Sequence, residues 1–229
     1  MKRTYTLAIL LGAALLGGYL CSAQEDDTAR LTKQAMAGNA SAQVQLGMKY
    51  AMTMHPDFTE AMKWFRMAAD QGSADGQLHL AAMYDIGVSP QNPTEAVKWY
   101  ALAAKQGQKD AEFRLGQMYD SARGVTQDYA QAAEWYKKAA AQGRLDAEYR
   151  LGEMYESGLG VKQSYTDAMH WYLGAASKGR PEAEYRLGYL YEMGLGTKKD
   201  KQQAIAWYQK SSDHGFPDAT QALRALEVQ

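Results

Sequence analysis

Four histidines, one cysteine, two Gly-Leu-Gly turns and many evenly spread carboxylates are the residues of this 229-residue chain that could do chemistry. His55, His79, His170 and His214 lack the HExxH or His-x-His spacing that would bring two imidazoles to one metal ion, so they read as solvated or helix-end residues. Gly158-Leu159-Gly160 and Gly194-Leu195-Gly196 look like phosphate-cradling turns. No strand pattern precedes them, however, and no Gly-Lys-Ser/Thr follows. A serine nucleophile with lysine on the same helical face would need Ser-x-x-Lys, and no serine has lysine three residues later. Paired carboxylates could hydrolyse a glycosidic bond, yet acids recurring at a fixed interval are more simply a solvated surface. The expectation is a chain without catalytic residues, metal or cofactor.

Composition narrows the class further. With 46% hydrophobic and 22% charged residues the chain belongs with globular proteins, since disorder needs fewer apolar residues. A formal charge of −1 argues against nucleic acid, whose phosphates call for clustered Lys and Arg. Lys2 and Arg3 followed by the uncharged run Leu7 to Leu20 form an export signal, because that run is shorter than the roughly 20 residues of a spanning helix. Cleavage after Ala23 is favoured over acylation of Cys21, because Leu20 stands where lipoprotein signals place a small residue. The mature chain then starts at Gln24, has no transmembrane anchor and no cysteine, and its formal charge falls to −3. A periplasmic or secreted location follows.

What must position any functional surface is a repeat. Trp64, Trp99, Trp135, Trp171 and Trp207 recur about every 36 residues, in register with Tyr50, Tyr84, Tyr119, Tyr155 and Tyr191 and with Gly38, Gly72, Gly107, Gly143, Gly179 and Gly215. Each unit holds two amphipathic helices. Ala147, Leu151, Met154 and Tyr155 form the stripe of a first helix, A; Ala168, Trp171, Tyr172, Ala175 and Ala176 form that of a second, B. Asp57, Asn92, Asp128, Ser164 and Asp200 are placed to cap the B helices, with Pro93 at a first helical position, and the recurring glycines are placed to end them. Gly47, Gly116, Gly152 and Gly188, directly after the core leucines, predict close helix approach, and the tryptophans are the expected core rings.

One such pair cannot bury its own apolar face, so neighbouring pairs must stack. The expected fold is all-α: a right-handed superhelical α/α solenoid of about five helix-turn-helix repeats. The export signal spans 1–23, a capping helix 24–37, the repeats 38–214 and a C-terminal capping helix 215–229, where Arg224 replaces the glycine that follows the core leucine.

The string Ala147 to Gly152, then Tyr155, Gly158-Leu159-Gly160-Val161, Ala168, Trp171-Tyr172, Ala175-Ala176 and Gly179, resembles Sel1-like repeats, longer-looped relatives of tetratricopeptide repeats, over about residues 38 to 226. The first two repeats depart from it at Phe65, at Ala81 and in the turns before Asp57 and at Gly87-Val88-Ser89-Pro90. The resemblance implies a non-enzymatic adaptor that binds proteins, often in bacterial envelope or signalling assemblies, with the A helices lining its concave surface.

On helix A, positions five and two before and after the core leucine fall on the side opposite the core stripe. Around Leu115 these are Asp110, Phe113, Gln117 and Asp120; around Leu151, Asp146, Tyr149, Glu153 and Glu156; around Leu187, Glu182, Tyr185, Tyr189 and Glu192. Leu80 contributes Asp75, Leu78, Ala82 and Asp85. An aromatic ladder between two acidic rows, bordered by Arg114, Arg150 and Arg186, suits a basic protein or peptide segment in a periplasmic adaptor's groove. Two further readings stay open: cell-wall glycan stacking on the same rings, and rings that only pack between repeats. An envelope hydrolase ranks behind these.

Overall fold

The computed structural model describes residues 27–87 and 91–227, and the expected export signal lies outside them. Twelve helices and no strand occur among the described residues. Helix α1 spans 27–36. It is followed by α2 (Ala40–Ala51), α3 (Phe58–Asp70), α4 (Ala74–Ile86), α5 (Pro93–Lys105), α6 (Lys109–Asp120), α7 (Tyr129–Ala141), α8 (Leu145–Ser157), α9 (Tyr165–Ser177), α10 (Pro181–Met193), α11 (Lys201–Asp213) and α12 (Pro217–Glu227). The even-numbered helices are the A helices and the odd-numbered the B helices. The chain forms two compact units, one ending at Gln91 and one beginning at Asn92. In the first, α2 packs on α3 and α3 on α4; in the second, each helix packs on the next from α5 through α12. No described helix is long and apolar enough to cross a membrane.

The helix ends form as their residues dictate. Asp57, Asn92, Asp128, Ser164 and Asp200 each accept a hydrogen bond from a backbone amide in the first turn of their B helix. At the other end of α9, Gly179 adopts φ 81°, and the amide of Arg180 then donates to the carbonyl of Ala175, consuming a carbonyl that the helix leaves unpaired.

Packing of the second unit is set by one ring per repeat. Tyr136, Tyr172 and Tyr208 are sealed from solvent, each lying on the glycine that follows a core leucine. A Cβ at Gly116 or Gly188 would lie 2.7 or 2.5 Å from the ring of Tyr136 or Tyr208. This corrects the expectation for tryptophan. Trp135, Trp171 and Trp207 are only partly buried, the latter two at the edges of the clusters, while the tyrosine one residue later is the core ring. In the first unit Trp64 is buried, and Phe65 lies on Gly47. The Gly-Leu-Gly turns also receive a structural reason: Gly160 and Gly196 abut the backbone at Tyr129 and Tyr165, where α7 and α9 begin, leaving no room for a side chain.

Candidate functional site

The expected binding face belongs to α6, α8 and α10 of the second unit, and its rings are set by neighbours on two sides. Phe113 lies 5.6 Å from Tyr136, and the Arg144 guanidinium stands 5.0 Å over it. Tyr149 repeats the arrangement with Tyr172 at 5.6 Å and Arg180 at 4.3 Å. Tyr185 contacts Tyr208 at 5.4 Å and, where the next arginine would be, Phe216 at 5.3 Å. Tyr189 packs against the clusters on both sides of α10. Phe113 departs from the expectation of a ring facing the groove: with 8% of its surface exposed, it is part of the core. Tyr149, Tyr185 and Tyr189 are half-buried and fill the space between successive repeats.

The acidic rows are likewise engaged. Arg144 and Arg180, at the starts of α8 and α10, bridge repeats: Arg144 pairs with Asp110 at 2.9 Å and Asp146 at 3.1 Å, and Arg180 with Asp146 at 2.5 Å and Glu182 at 3.3 Å. In the other row Asp120 accepts from Arg150 Nε at 2.7 Å, from Arg150 Nη2 at 2.8 Å and from the Tyr136 hydroxyl at 3.1 Å. Arg150 also reaches Glu153 at 3.0 Å. One repeat on, Glu156 accepts from the Tyr172 hydroxyl at 2.6 Å and faces Arg186 at 3.7 Å. Glu192 accepts from the Tyr208 hydroxyl at 2.7 Å. Gln117 accepts from Arg114 at 3.1 Å. The face thus carries two repeated networks: Asp110, Asp146 and Glu182 with Arg144 and Arg180, and Asp120, Glu153 and Glu156 with Arg150, Arg186 and the hydroxyls of the core tyrosines, while Glu192 keeps only its tyrosine. Asp85 is buried at the end of α4 in the first unit.

The tyrosine network moves the protonation of its members. Burial raises the Tyr136, Tyr172 and Tyr208 hydroxyls far above the ordinary phenol value, and the carboxylates of Asp120, Glu156 and Glu192 add to the effect by favouring the neutral donor. The hydrogen bond to Asp120 raises Arg150 above its usual value, against the cost of burial. Burial works against the charge of Arg186 too, but Glu156 and Tyr149 outweigh it, and its value is also raised.

A second repeated feature escaped the sequence reading. Three residues before each core leucine stands a buried polar side chain: Gln43, Gln77, Glu112, Glu148 and Glu184. The residue before the turn glycine reaches back to four of them within the units. Gln71 donates to Gln43 at 2.7 Å, Gln142 to Glu112 at 2.8 Å and Lys178 to Glu148 at 2.7 Å, while the His214 ring lies 2.7 Å from Glu184. The signal was present in the chain, as two polar columns about 30 residues apart in the same register, one of them inside an otherwise apolar stripe. Burial raises the Glu112 carboxyl above its usual value, opposed by the Gln142 hydrogen bond and Lys138. Among the described residues no group of three or more His, Cys, Asp or Glu is placed to hold a metal ion.

The sequence pattern of the Sel1 repeat matches the chain five times, over residues 40–73, 74–108, 109–143, 145–179 and 181–216. No curated protein matches. Among solved structures, a protective antigen of uropathogenic Escherichia coli strains displaying an SLR fold is 36% identical, with a TM-score of 0.83. That match covers 86% of this chain and 43% of the other, so the chain spans less than half the length of that protein. A Sel1 repeat protein from Oxalobacter formigenes is 31% identical with a TM-score of 0.83, covering 92% of this chain and 88% of that one. A Sel1 repeat protein from Klebsiella pneumoniae shares the fold at 24% identity and a TM-score of 0.54, covering 87% of this chain and 99% of that one.

Proposed function

The chain belongs to the Sel1 repeat family, and on that premise we propose that it is a non-catalytic periplasmic adaptor that holds a basic segment of another protein along α6, α8 and α10. Sel1 repeat proteins are in general protein-interaction scaffolds. The supporting observation is the regular recurrence of half-buried side chains two residues after the core leucine, Gln117, Glu153 and Tyr189, one per repeat on consecutive A helices. An extended segment gains affinity on a solenoid by meeting equivalent positions in succession. Carboxylates outnumber guanidiniums toward the C-terminal end of this face, where Glu192 and Asp218 follow the last paired arginine, which favours a cationic occupant. The export reading rests on Lys2, Arg3 and the apolar run after them.

Sugar stacking, the competing use of the same rings, needs free ring faces. Those of Phe113 and Tyr149 are already taken by Tyr136 and Tyr172 on one side and by Arg144 and Arg180 on another, so the geometry favours a protein partner.

The test is affinity purification of the exported protein after crosslinking in its native compartment, repeated over a salt series. A protein partner retained at low salt and released as ionic strength rises is the expected result. Retention of glycan instead, unaffected by salt, would refute it.

A further inference from the structure

The arginine that meets the acidic row in two repeats is missing from the next. Asp120 is met by Arg150, and 36 residues on Glu156 is met by Arg186; the same register puts Ala222 opposite Glu192. Helix α12 does continue the repeat. Ala219 and Leu223 are buried, as Ala183 and Leu187 are 36 residues earlier, and Ala222 packs into the cluster shared by Tyr185, Tyr189 and Tyr208. The alanine therefore stands at the arginine position of an intact interface. Glu192 keeps the tyrosine half of the motif, its hydrogen bond from Tyr208, and among the described residues it has no cationic partner.

We propose that the Glu192 carboxylate, held by the Tyr208 hydroxyl and paired by the repeat register with Ala222 instead of an arginine, is an open guanidinium site that takes an arginine side chain from a protein segment docked against α10 and α12. The assignment rests on the scaffold reading for the source of the arginine, and on the chain's own repeats for the chemistry. Asp120 shows what such a carboxylate holds when its partner is present: Nε and Nη2 of one guanidinium at 2.7 and 2.8 Å, beside a tyrosine hydroxyl. That two-pronged contact suits the planar fork of arginine, where lysine brings only a point charge. Aromatic surface around the site and the nearby Asp218, whose charge acts on Tyr185, both favour a flat cation. A second copy of this chain stacked end to end would not supply the group, because its first two A helices carry Gln45 and His79 at the arginine position.

The experiment follows the tyrosine ring signals of the mature protein by NMR while the peptide acetyl-Gly-Arg-Gly-amide, or its lysine counterpart, is titrated in. The arginine peptide is expected to shift the Tyr208 and Tyr185 rings saturably and to bind more tightly than the lysine peptide. Glu192→Gln, which retains an acceptor for Tyr208, should weaken it about tenfold, the loss expected when a charge-assisted bond becomes a neutral one. Ala222→Arg should supply the missing side chain, raise the melting temperature and abolish the shifts. If Ala222→Arg fails to fold, Glu192→Gln decides alone. Equal response to the two peptides, or binding undiminished by Glu192→Gln, overturns the site. A crosslinked partner retained equally by wild type and Glu192→Gln also overturns it while leaving the scaffold reading standing. Selective arginine binding in a protein that captures no partner refutes the scaffold reading and leaves the site.

Discussion

Removing one hydroxyl from the second unit should cost a large share of a domain's stability, and the cost should depend on pH. Tyr172 is sealed from solvent, and its hydroxyl donates at 2.6 Å to Glu156, an anion with 17% of its side chain exposed. A hydrogen bond to a charged group contributes on the order of 1.5 to 3 kcal/mol net, so Tyr172→Phe should destabilise by about that much at pH 7. Burial and Glu156 raise the Tyr172 hydroxyl above its ordinary value of 10.0. The folded chain therefore holds this proton more tightly than the unfolded chain does. The stabilisation is fully present below about pH 10 and falls as pH rises further, at about 1.4 kcal/mol per pH unit for one group. Urea denaturation of wild type and Tyr172→Phe between pH 7 and pH 11 measures the difference directly, since other titrating groups cancel. The penalty of the substitution should be constant to near pH 10 and shrink above it. A penalty near zero at pH 7, or one that is unchanged at pH 11, would refute the network as a source of stability.

Three other substitutions test packing and the buried polar column. Gly152→Ala places a Cβ within 3.0 Å of the buried Tyr172 ring, and overpacking of about 1 to 3 kcal/mol should exceed the roughly 1 kcal/mol that alanine gains inside a helix. Gly174→Ala meets only the Glu148 carboxylate end at 3.3 Å and should be neutral or stabilising; equal urea midpoints for the two variants would show that the ring can yield. Glu112→Gln recreates the amide pair that Gln43 and Gln71 already make, and removes a carboxyl whose proton burial makes harder to lose. Because that raised value makes the contribution of Glu112 complete below pH 4.5 and lost as pH rises through it, the variant should be the more stable protein at pH 7 and lose its advantage in acid. Denaturation curves at pH 7 and pH 4 check this, and a less stable variant at pH 7 would sink it.

The repeat, the cap residues and the glycine contacts were legible because each depends on residues close in sequence or on a period visible in the chain. Asp128 caps α7 through the amide of Gln131 three residues on, which is local chemistry. The engagement of the supposed groove was not legible. Whether Asp120 is free depends on Arg150, 30 residues away and one repeat on, and helical spacing places each of them on a face without saying that the two faces meet. The core ring was misassigned for a related reason. Trp171 and Tyr172 differ by one position, about 100° of helix, and only the placement of Gly152 decides which ring is sealed. The series Glu112, Glu148 and Glu184 went unread because a carboxyl side chain on a buried stripe makes sense only once Gln142, Lys178 and His214 are seen to reach it.

The central claim, that the A-helix face of the second unit holds a protein segment, is tested most directly by site-resolved photo-crosslinking in the native compartment. Photoreactive residues would be placed singly at Gln117, Glu153 and Tyr189 on α6, α8 and α10, and at the exposed Leu102, Leu173 and Ile205 on α5, α9 and α11. Crosslinks to a common partner protein from the first three positions, and few from the second, are the predicted result. Crosslinks arising only from the B-helix positions would contradict it.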